Sequence, residues 1–134
     1  MSFRQLDVST SSRCEMIDVT AQVVEVVRDS GVTSGRVVCY VPHTTAGVTI
    51  QENADPDVTR DLTAYLSKLV PRSAGFRHAE GNSDAHIKAS LVGSSVTVLV
   101  RDGRCVLGTW QAIYFCEFDG PRQRTLIVQT AGGD

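Results

Sequence analysis

Cys105-Val-Leu-Gly-Thr-Trp-Gln-Ala-Ile-Tyr-Phe-Cys-Glu-Phe118 reads as one long strand that is apolar on both faces, and the expected architecture is built around it. One face would carry Val106, Trp110, Ala112, Tyr114, Cys116 and Phe118, and the other would carry Leu107, Ile113 and Phe115. Such a strand lies in mid-sheet and needs cover on both sides, from helices or from another subunit.

Further strands are expected on either side of this one along the chain. Val96, Val98 and Val100 alternate up to Asp102-Gly103, a dipeptide that favours a two-residue hairpin turn. Leu126, Ile127 and Val128 indicate a final strand, and residues 4–10 and 13–17 indicate two short strands across a turn at Ser11-Ser12.

Three helices are expected between the strands. Four valines at helical spacing follow an N-cap at Asp18 or Thr20 and stop at Gly31. Asp55-Pro56 starts a helix over 56–69, and a shorter one runs from about 83 to 92. The sum is an α+β fold in which helices pack on antiparallel sheet.

Composition excludes several classes of protein. The 134 residues, 42% of them apolar, suit one domain over 1–134 with a real core. The 13 Lys and Arg are outnumbered by 15 Asp and Glu, so no nucleic-acid partner is expected. No apolar run approaches the roughly 18 residues that cross a bilayer, and no signal-peptide pattern is seen, so we expect no membrane partner and a cytoplasmic location.

All three histidines, His43, His78 and His86, lie in polar, turn-rich segments. One hypothesis is a shared catalytic metal site, since three imidazoles with one open position are typical of Zn²⁺, with Glu80 and Asp84 supporting the rings. The alternative is that each histidine caps a turn or bonds a nearby carbonyl. The spacing of His78 and His86 is no standard ligand signature.

Two other groups of polar residues suggest ligands. Asn53, with Glu52 and Asp57, could hold Mg²⁺, although an acidic first turn of the 56–69 helix explains them as well. The residue types that hold phosphate are also present, although Ser and Thr beside glycine are usually turns: Thr44, Thr45, Lys88, Ser94, Ser95 and Arg122.

Six segments together resemble the motifs of the YjbQ-like family. They are His43-Thr-Thr-Ala-Gly-Val-Thr-Ile50, Glu52-Asn-Ala-Asp-Pro-Asp57, His78-Ala-Glu-Gly-Asn-Ser-Asp-Ala-His-Ile-Lys88, Gly93-Ser-Ser95, Leu107-Gly-Thr-Trp-Gln111 and Phe115-Cys-Glu-Phe-Asp-Gly-Pro-Arg122. The resemblance implies a sandwich-like sheet, a homotrimer and a cleft lined by the histidine motifs, with Asn53 and Asn82 among the substrate-binding residues.

The activity that the resemblance implies is a secondary thiamine phosphate synthase, which joins an aminopyrimidine diphosphate to a thiazole phosphate and releases pyrophosphate. Such a reaction needs charge stabilisation on the leaving group, which a divalent metal, Zn or Mg, and Lys88 or Arg122 would supply. Two alternatives stay open. One is a metal-dependent hydrolase of a small phosphorylated metabolite, and the other is a non-catalytic trimeric protein that binds a metal or small molecule.

Overall fold

The computed structural model describes residues 2–133, which form eight strands and three helices. In chain order the strands are β1 (Ser2–Ser9), β2 (Glu15–Asp18), β3 (Ser34–Tyr40), β4 (Ala46–Glu52), β5 (Ser95–Arg101), β6 (Arg104–Cys105), β7 (Gln111–Glu117) and β8 (Gln123–Gly132). The helices are α1 (Thr20–Ser30), α2 (Pro56–Leu69) and α3 (Ser83–Val92).

The strands form two antiparallel sheets, one of five strands in the order β1-β8-β3-β5-β6 and one of three in the order β2-β7-β4. A single core lies between the sheets and contains Val37 and Val128 from the larger sheet and Val48 and Phe115 from the smaller. Valines of α1 complete it. The predicted α+β class and the sandwich-like arrangement of the sheet are therefore confirmed.

The strand β7 is apolar on both faces, as predicted, and this chain covers both faces itself. Ile113 and Phe115 enter the core between the sheets. Tyr114 and Cys116 point the other way, into a second cluster that Leu66 of α2 joins. Since helices supply the outer cover, this strand needs no second subunit.

The predicted strand over 105–118 is wrong at residues 106–110. Those residues form a loop and turn, closed by the amide of Gly108 donating to Gln111 Oε1 at 2.7 Å and by the amide of Gln111 donating to Gly108 O at 3.1 Å. Side-chain parity in the sequence could not reveal this turn. Residues 4–10 and 13–17 do contain strands, but β1 pairs with β8 and β2 pairs with β7, so they belong to different sheets.

The three helices begin and end close to the predicted residues. Asp55 caps α2 by accepting the amide of Asp57 at 2.9 Å. Gly31 ends α1 in the left-handed conformation, with φ of 73°. The hairpin between β5 and β6 turns at Asp102 and Gly103, with φ of 53° and 73°, which is the conformation that Asp-Gly favours.

A buried ion pair joins the two sheets near one end of the core. Arg124 of β8 donates from Nε to Glu117 Oε1 of β7 at 2.8 Å, and its Nη2 donates to Oε2. Glu117 is completely buried and Arg124 is 6% exposed. Burial would raise the pKa of Glu117, but hydrogen bonds from Arg124, the Asp119 amide and Thr10 outweigh it and lower that pKa.

The Glu117→Gln variant should lose about 3 to 5 kcal/mol of the free energy of unfolding, because it leaves the Arg124 guanidinium buried without its counter-charge. Urea unfolding measures the loss. The control is Arg60→Gln, which removes an exposed ion pair with Asp57 and should cost about 0.5 kcal/mol. Similar losses in the two variants would contradict the structural role of the buried pair.

Candidate functional site

A polar pocket of about 390 Å³ lies between the connection from β3 to β4 and the face of α3 that carries His86 and Ser90. Its lining residues carry imidazoles, hydroxyls or very small side chains: His43, Thr44, Ala46, His86, Ala89, Ser90, Gly93 and Ser94. Neither a carboxylate nor a Lys or Arg side chain belongs to this lining in the part of the chain that the structure describes.

The pocket wall depends on a close approach of β4 to the end of α3. A Cβ atom on Gly47 would lie 2.6 Å from Gly93 O, so only glycine fits there. The amide of Val48 donates to the same Gly93 oxygen at 3.1 Å. On the other side, the amide of Val41 donates to Ser94 O at 2.8 Å. These backbone contacts hold the histidine-containing loop and the serine-containing loop against each other.

The side chain of His43 accepts a hydrogen bond from the backbone of β8, at a point where β3 no longer pairs with that strand. The pairing of β3 with β8 stops at Tyr40 and Ile127, and Pro42 follows. The amide of Thr125, two residues before Ile127 in β8, instead donates to His43 Nε2 at 2.9 Å. Burial lowers the pKa of His43 and the nearby Arg124 lowers it further, against a smaller opposing effect of Glu117.

His86 lies in the pocket with His78 beside it on the outer side. The two ring centroids are 5.3 Å apart and the ring planes are nearly perpendicular. His78 Nε2 lies 3.9 Å from Glu80 Oε1, and both side chains are exposed. Within residues 2–133 no three His, Cys, Asp or Glu side chains are grouped closely enough to hold a metal ion. A single chain therefore does not bring the three histidines together as one ligand set.

Thr45 is buried and faces away from the pocket. Its hydroxyl accepts from Arg124 Nη2 at 2.8 Å, and its carbonyl accepts from the same nitrogen at 3.2 Å. The carbonyl also accepts the amide of Phe118. Thr45 thus attaches the His43 loop to the buried ion pair, whereas the neighbouring Thr44 is exposed and lines the pocket.

Asp84 and Lys88 form a buried ion pair one turn apart on α3. Lys88 Nζ lies 3.0 Å from Asp84 Oδ2, and Arg13 donates to both Asp84 oxygens at 3.0 and 3.2 Å. Burial would raise the pKa of Asp84, but the hydrogen bonds from Arg13 and Lys88 outweigh it and bring the pKa to about 2. The two residues attach α3 to the chain before β2, on the side away from the pocket.

Asn82 joins the N-terminal end of α3 to the loop after β7, in which Asp119 and Arg122 lie. Asn82 Nδ2 donates to Asp119 Oδ2 at 2.8 Å, and Arg122 Nη2 donates to that oxygen at 2.9 Å. Asn82 Oδ1 is buried and has no hydrogen-bond partner in residues 2–133. Neither side chain lines the pocket.

Asn53 and Ser95, the remaining predicted site residues, also lie outside this pocket. Asn53 is exposed before α2, where its amide donates to Trp110 O at 2.9 Å. Ser95 is exposed at the start of β5, opposite Tyr40. The pocket therefore contains His43, Thr44, His86 and Ser94 from the predicted set.

Sequence reasoning missed three contributors to this site. Ser90 lines the pocket one turn after His86 and donates its hydroxyl hydrogen to His86 O at 2.9 Å. Its helical spacing from His86 was an available signal. Arg124 and the Thr125 amide support His43 and Thr45, but their strand lies far away in sequence and only tertiary structure brings them here.

The fold and site together define a single-domain α+β sandwich protein with a small polar pocket on one side of α3. A family model described as "UPF0047 protein YjbQ-like" matches residues 4–133. The UPF0047 protein MJ1081 of Methanocaldococcus jannaschii is 52% identical over 125 residues, which are 93% of this chain and 91% of that protein. The Bacillus subtilis UPF0047 protein YugU is 50% identical over 130 residues, covering 96% and 98%.

Solved structures agree with these sequence matches. A crystal structure of an uncharacterized YjbQ/UPF0047 protein from Clostridium acetobutylicum aligns with a TM-score of 0.94 at 51% identity, over 96% of this chain and 99% of that one. A protein of unknown function from Sulfolobus solfataricus aligns with a TM-score of 0.94 at 31% identity, over 98% and 97%. The chain belongs to the YjbQ-like UPF0047 family.

The Asp84→Asn variant should be less stable than the parent protein at neutral pH, and the difference in their free energies of unfolding should shrink as the pH falls. The folded-state pKa of Asp84, about 2, lies below the ordinary 3.8. Its ionised form therefore stabilises the fold above about pH 4, by about 2 kcal/mol, and this stabilisation is lost as the pH falls toward 2. Urea unfolding of both proteins between pH 6 and pH 2.5 should show this difference in free energy decreasing. A difference that stays constant would contradict the ion-pair assignment.

Proposed function

We propose that this protein is an enzyme that binds a small phosphorylated metabolite in the pocket beside α3. The main support for this proposal is the lining of the pocket, which offers imidazoles and hydroxyls and no carboxylate among the described residues. Donors of this kind suit phosphoryl oxygens, and a carboxylate would repel them. The volume of about 390 Å³ lies in the usual range for small-molecule sites.

Thr44 and Ser94 are the free hydroxyls of this pocket. Neither side chain makes a hydrogen bond within residues 2–133, whereas the Ser90 hydroxyl already donates to His86 O. The two exposed hydroxyls can therefore turn toward a ligand without breaking an existing contact. A hydrogen bond between a hydroxyl and an anion contributes roughly 1.5 to 3 kcal/mol.

Within this class we propose the thiamine phosphate synthase reaction that the family resemblance implies. The bond between the pyrimidine methylene carbon and the pyrophosphate oxygen breaks, and its electron pair leaves with pyrophosphate. The thiazole nitrogen then forms the new bond to that carbon with its lone pair. Because negative charge collects on the leaving group, fixed hydrogen-bond donors lower the barrier more than a strong base would.

A divalent cation is the cofactor in this proposal, and His78 and His86 are the residues that would hold it. The 5.3 Å between their ring centroids suits two imidazoles that share one ion, with its other positions left to water or to the phosphorylated ligand. This donor set fits Zn²⁺ better than Mg²⁺, which prefers oxygen ligands. When bound, the ion would neutralise charge on the phosphorylated ligand.

The same pair of imidazoles favours a second candidate, a metal-dependent hydrolase of a small phosphorylated metabolite. Two imidazoles with open positions on a zinc ion are compatible with an activated water. The two candidates differ in their products, since a hydrolase consumes one phosphorylated substrate and water, whereas the synthase joins two organic substrates.

The role of the pocket in the reaction can be tested by substituting two neighbouring serines, Ser94 inside the pocket and Ser95 outside it. With the aminopyrimidine diphosphate and the thiazole phosphate supplied together, the parent protein should release pyrophosphate and form thiamine phosphate. Ser94→Ala should lower kcat/KM by about 10-fold or more, because it removes a hydroxyl that faces the ligand. Ser95→Ala, the matched control outside the pocket, should stay within about 2-fold of the parent. Coupled pyrophosphate detection and chromatography of the product give the two readouts.

Three outcomes would count against parts of this proposal. Release of phosphate from either substrate alone, without a condensed product, would favour the hydrolase. Binding of both substrates with no turnover would favour a non-catalytic binding protein. Equal activity of the Ser94→Ala and Ser95→Ala variants would remove the pocket from the reaction.

We also propose that the protein is a cytoplasmic homotrimer, using the outer face of the five-stranded sheet as the interface. That face exposes large apolar side chains on three of its strands: Phe3 of β1, Tyr40 of β3 and Leu99 of β5, which are 60%, 44% and 64% exposed. Large apolar groups exposed on one face of a sheet favour a contact surface between proteins. None of the described helices is long and apolar enough to span a membrane.

The proposed interface can be tested by substituting two leucines of similar exposure, Leu99 on the outer face of the sheet and Leu69 on α2. Light scattering should give the parent protein three times the chain mass of 14.5 kDa. Leu99→Lys should dissociate the assembly, because it places a charge in the proposed interface. Leu69→Lys, which alters an exposed leucine on α2, should leave the mass unchanged. A monomeric parent protein, or equal behaviour of the two variants, would contradict the proposed interface.

A further inference from the structure

We propose that His43 is locked as a neutral imidazole that donates its Nδ1 hydrogen to a phosphoryl oxygen, so that the pocket is an oxyanion site and His43 is not a metal ligand. This inference rests on the proposed function and assigns to one atom of the pocket a defined role in binding. It also separates His43 chemically from His78 and His86.

The tautomer follows from the contact with β8. The amide of Thr125 donates to His43 Nε2 at 2.9 Å, so this nitrogen must present a lone pair. A neutral imidazole has one lone-pair nitrogen and one nitrogen that carries hydrogen. The hydrogen of His43 therefore resides on Nδ1.

The Nδ1 hydrogen is available to a ligand. His43 is one of the residues that line the pocket, and it is partly exposed. Within residues 2–133, Nδ1 has no hydrogen-bond partner, and the ring is hydrogen-bonded only through Nε2. The donor is thus positioned from behind by backbone and unsatisfied in front, which is the arrangement that binds an anion with little reorganisation.

Metal binding by His43 would break this arrangement. Nδ1 carries hydrogen and has no lone pair to offer, and Nε2 could bind a metal ion only by displacing the Thr125 amide. The displaced N–H would lose this hydrogen bond, and a partly buried amide without a partner is costly. Protonation of the ring is also disfavoured, because a hydrogen on Nε2 would point at the hydrogen of the Thr125 amide. Burial and the Arg124 charge also lower the pKa of His43.

Two amide variants separate the nitrogens of the ring. In His43→Asn, the side-chain amide nitrogen takes the place of Nδ1, so the donor to the ligand is kept and the acceptor for Thr125 is lost. In His43→Gln, the amide group reaches the place of Nε2, so the Thr125 contact is kept and the donor to the ligand is lost. The probe is inorganic pyrophosphate, and its affinity is measured by calorimetry on folded protein at pH 7.5.

We expect pyrophosphate to bind His43→Gln at least about 10-fold more weakly than the parent protein, and His43→Asn within about 3-fold of it. The reverse order would overturn the proposal, because it would show that only the Thr125 contact matters. Equal affinity in all three proteins would overturn it as well.

A nitrogen NMR measurement on the unmodified protein decides the question even if neither variant folds. Long-range ¹H–¹⁵N correlations should show a protonated Nδ1 and an unprotonated Nε2 for His43. Pyrophosphate should move the Nδ1 signal, and Zn²⁺ should not move either His43 nitrogen. A protonated Nε2, or a His43 signal that follows Zn²⁺, would overturn the proposal.

These outcomes are distinct from those of the activity assay. Pyrophosphate binding with the expected variant order, but without formation of thiamine phosphate, would reject the proposed reaction and leave the role of His43 intact. Formation of thiamine phosphate at equal rates in the parent, His43→Asn and His43→Gln would leave the reaction intact and reject the role of His43.

Discussion

The buried ion pair between Glu117 and Arg124 connects the fold to the site. It spans the two sheets at one end of the core, and Arg124 Nη2, which donates to Glu117, also donates to Thr45 in the loop that carries His43. The next residue of the same strand, Thr125, supplies the amide that holds the His43 ring. One pair of residues thus links the two sheets to each other and to the histidine loop. Buried ion pairs contribute little net stability but are costly to break, which suits a role in fixing position.

The charged side chains around α3 serve a different purpose from the pocket beside it. Asp84 pairs with both Lys88 and Arg13, and Asn82 and Arg122 meet at Asp119. These contacts attach one face of the helix. The opposite face, with His86, Ala89 and Ser90, is left to form the pocket wall without a charged Lys, Arg, Asp or Glu side chain among the described residues. The helix therefore separates the groups that hold it from the groups that can meet a ligand.

The fold could largely be predicted from the sequence, because its signals are local. Asp55-Pro56 marked the start of α2, and Asp102-Gly103 marked the hairpin. The alternation in β7 identified a strand with two covered faces. The turn at 106–110 was missed because its side-chain parity matches that of a strand, while a contact between Gly108 and the Gln111 side chain bends the chain.

The site was harder to predict, because a sequence shows the charge of a residue and not its partners. Lys88 suggested phosphate binding, yet the four-residue spacing from Asp84 already matched a helical ion pair. Thr44 and Thr45 looked equivalent, and only the position of Arg124 separates a ligand-facing hydroxyl from a structural one. The Thr125 amide, which determines the chemistry of His43, is a backbone group and leaves no trace in the sequence.

The most direct test is a crystal structure of the protein grown with inorganic pyrophosphate and Zn²⁺ together. We expect a phosphoryl oxygen within hydrogen-bond distance of His43 Nδ1, with the Thr125 amide still on Nε2 and any zinc ion on His78 and His86. A zinc ion on His43 with the Thr125 contact broken, or pyrophosphate bound only outside this pocket, would contradict it.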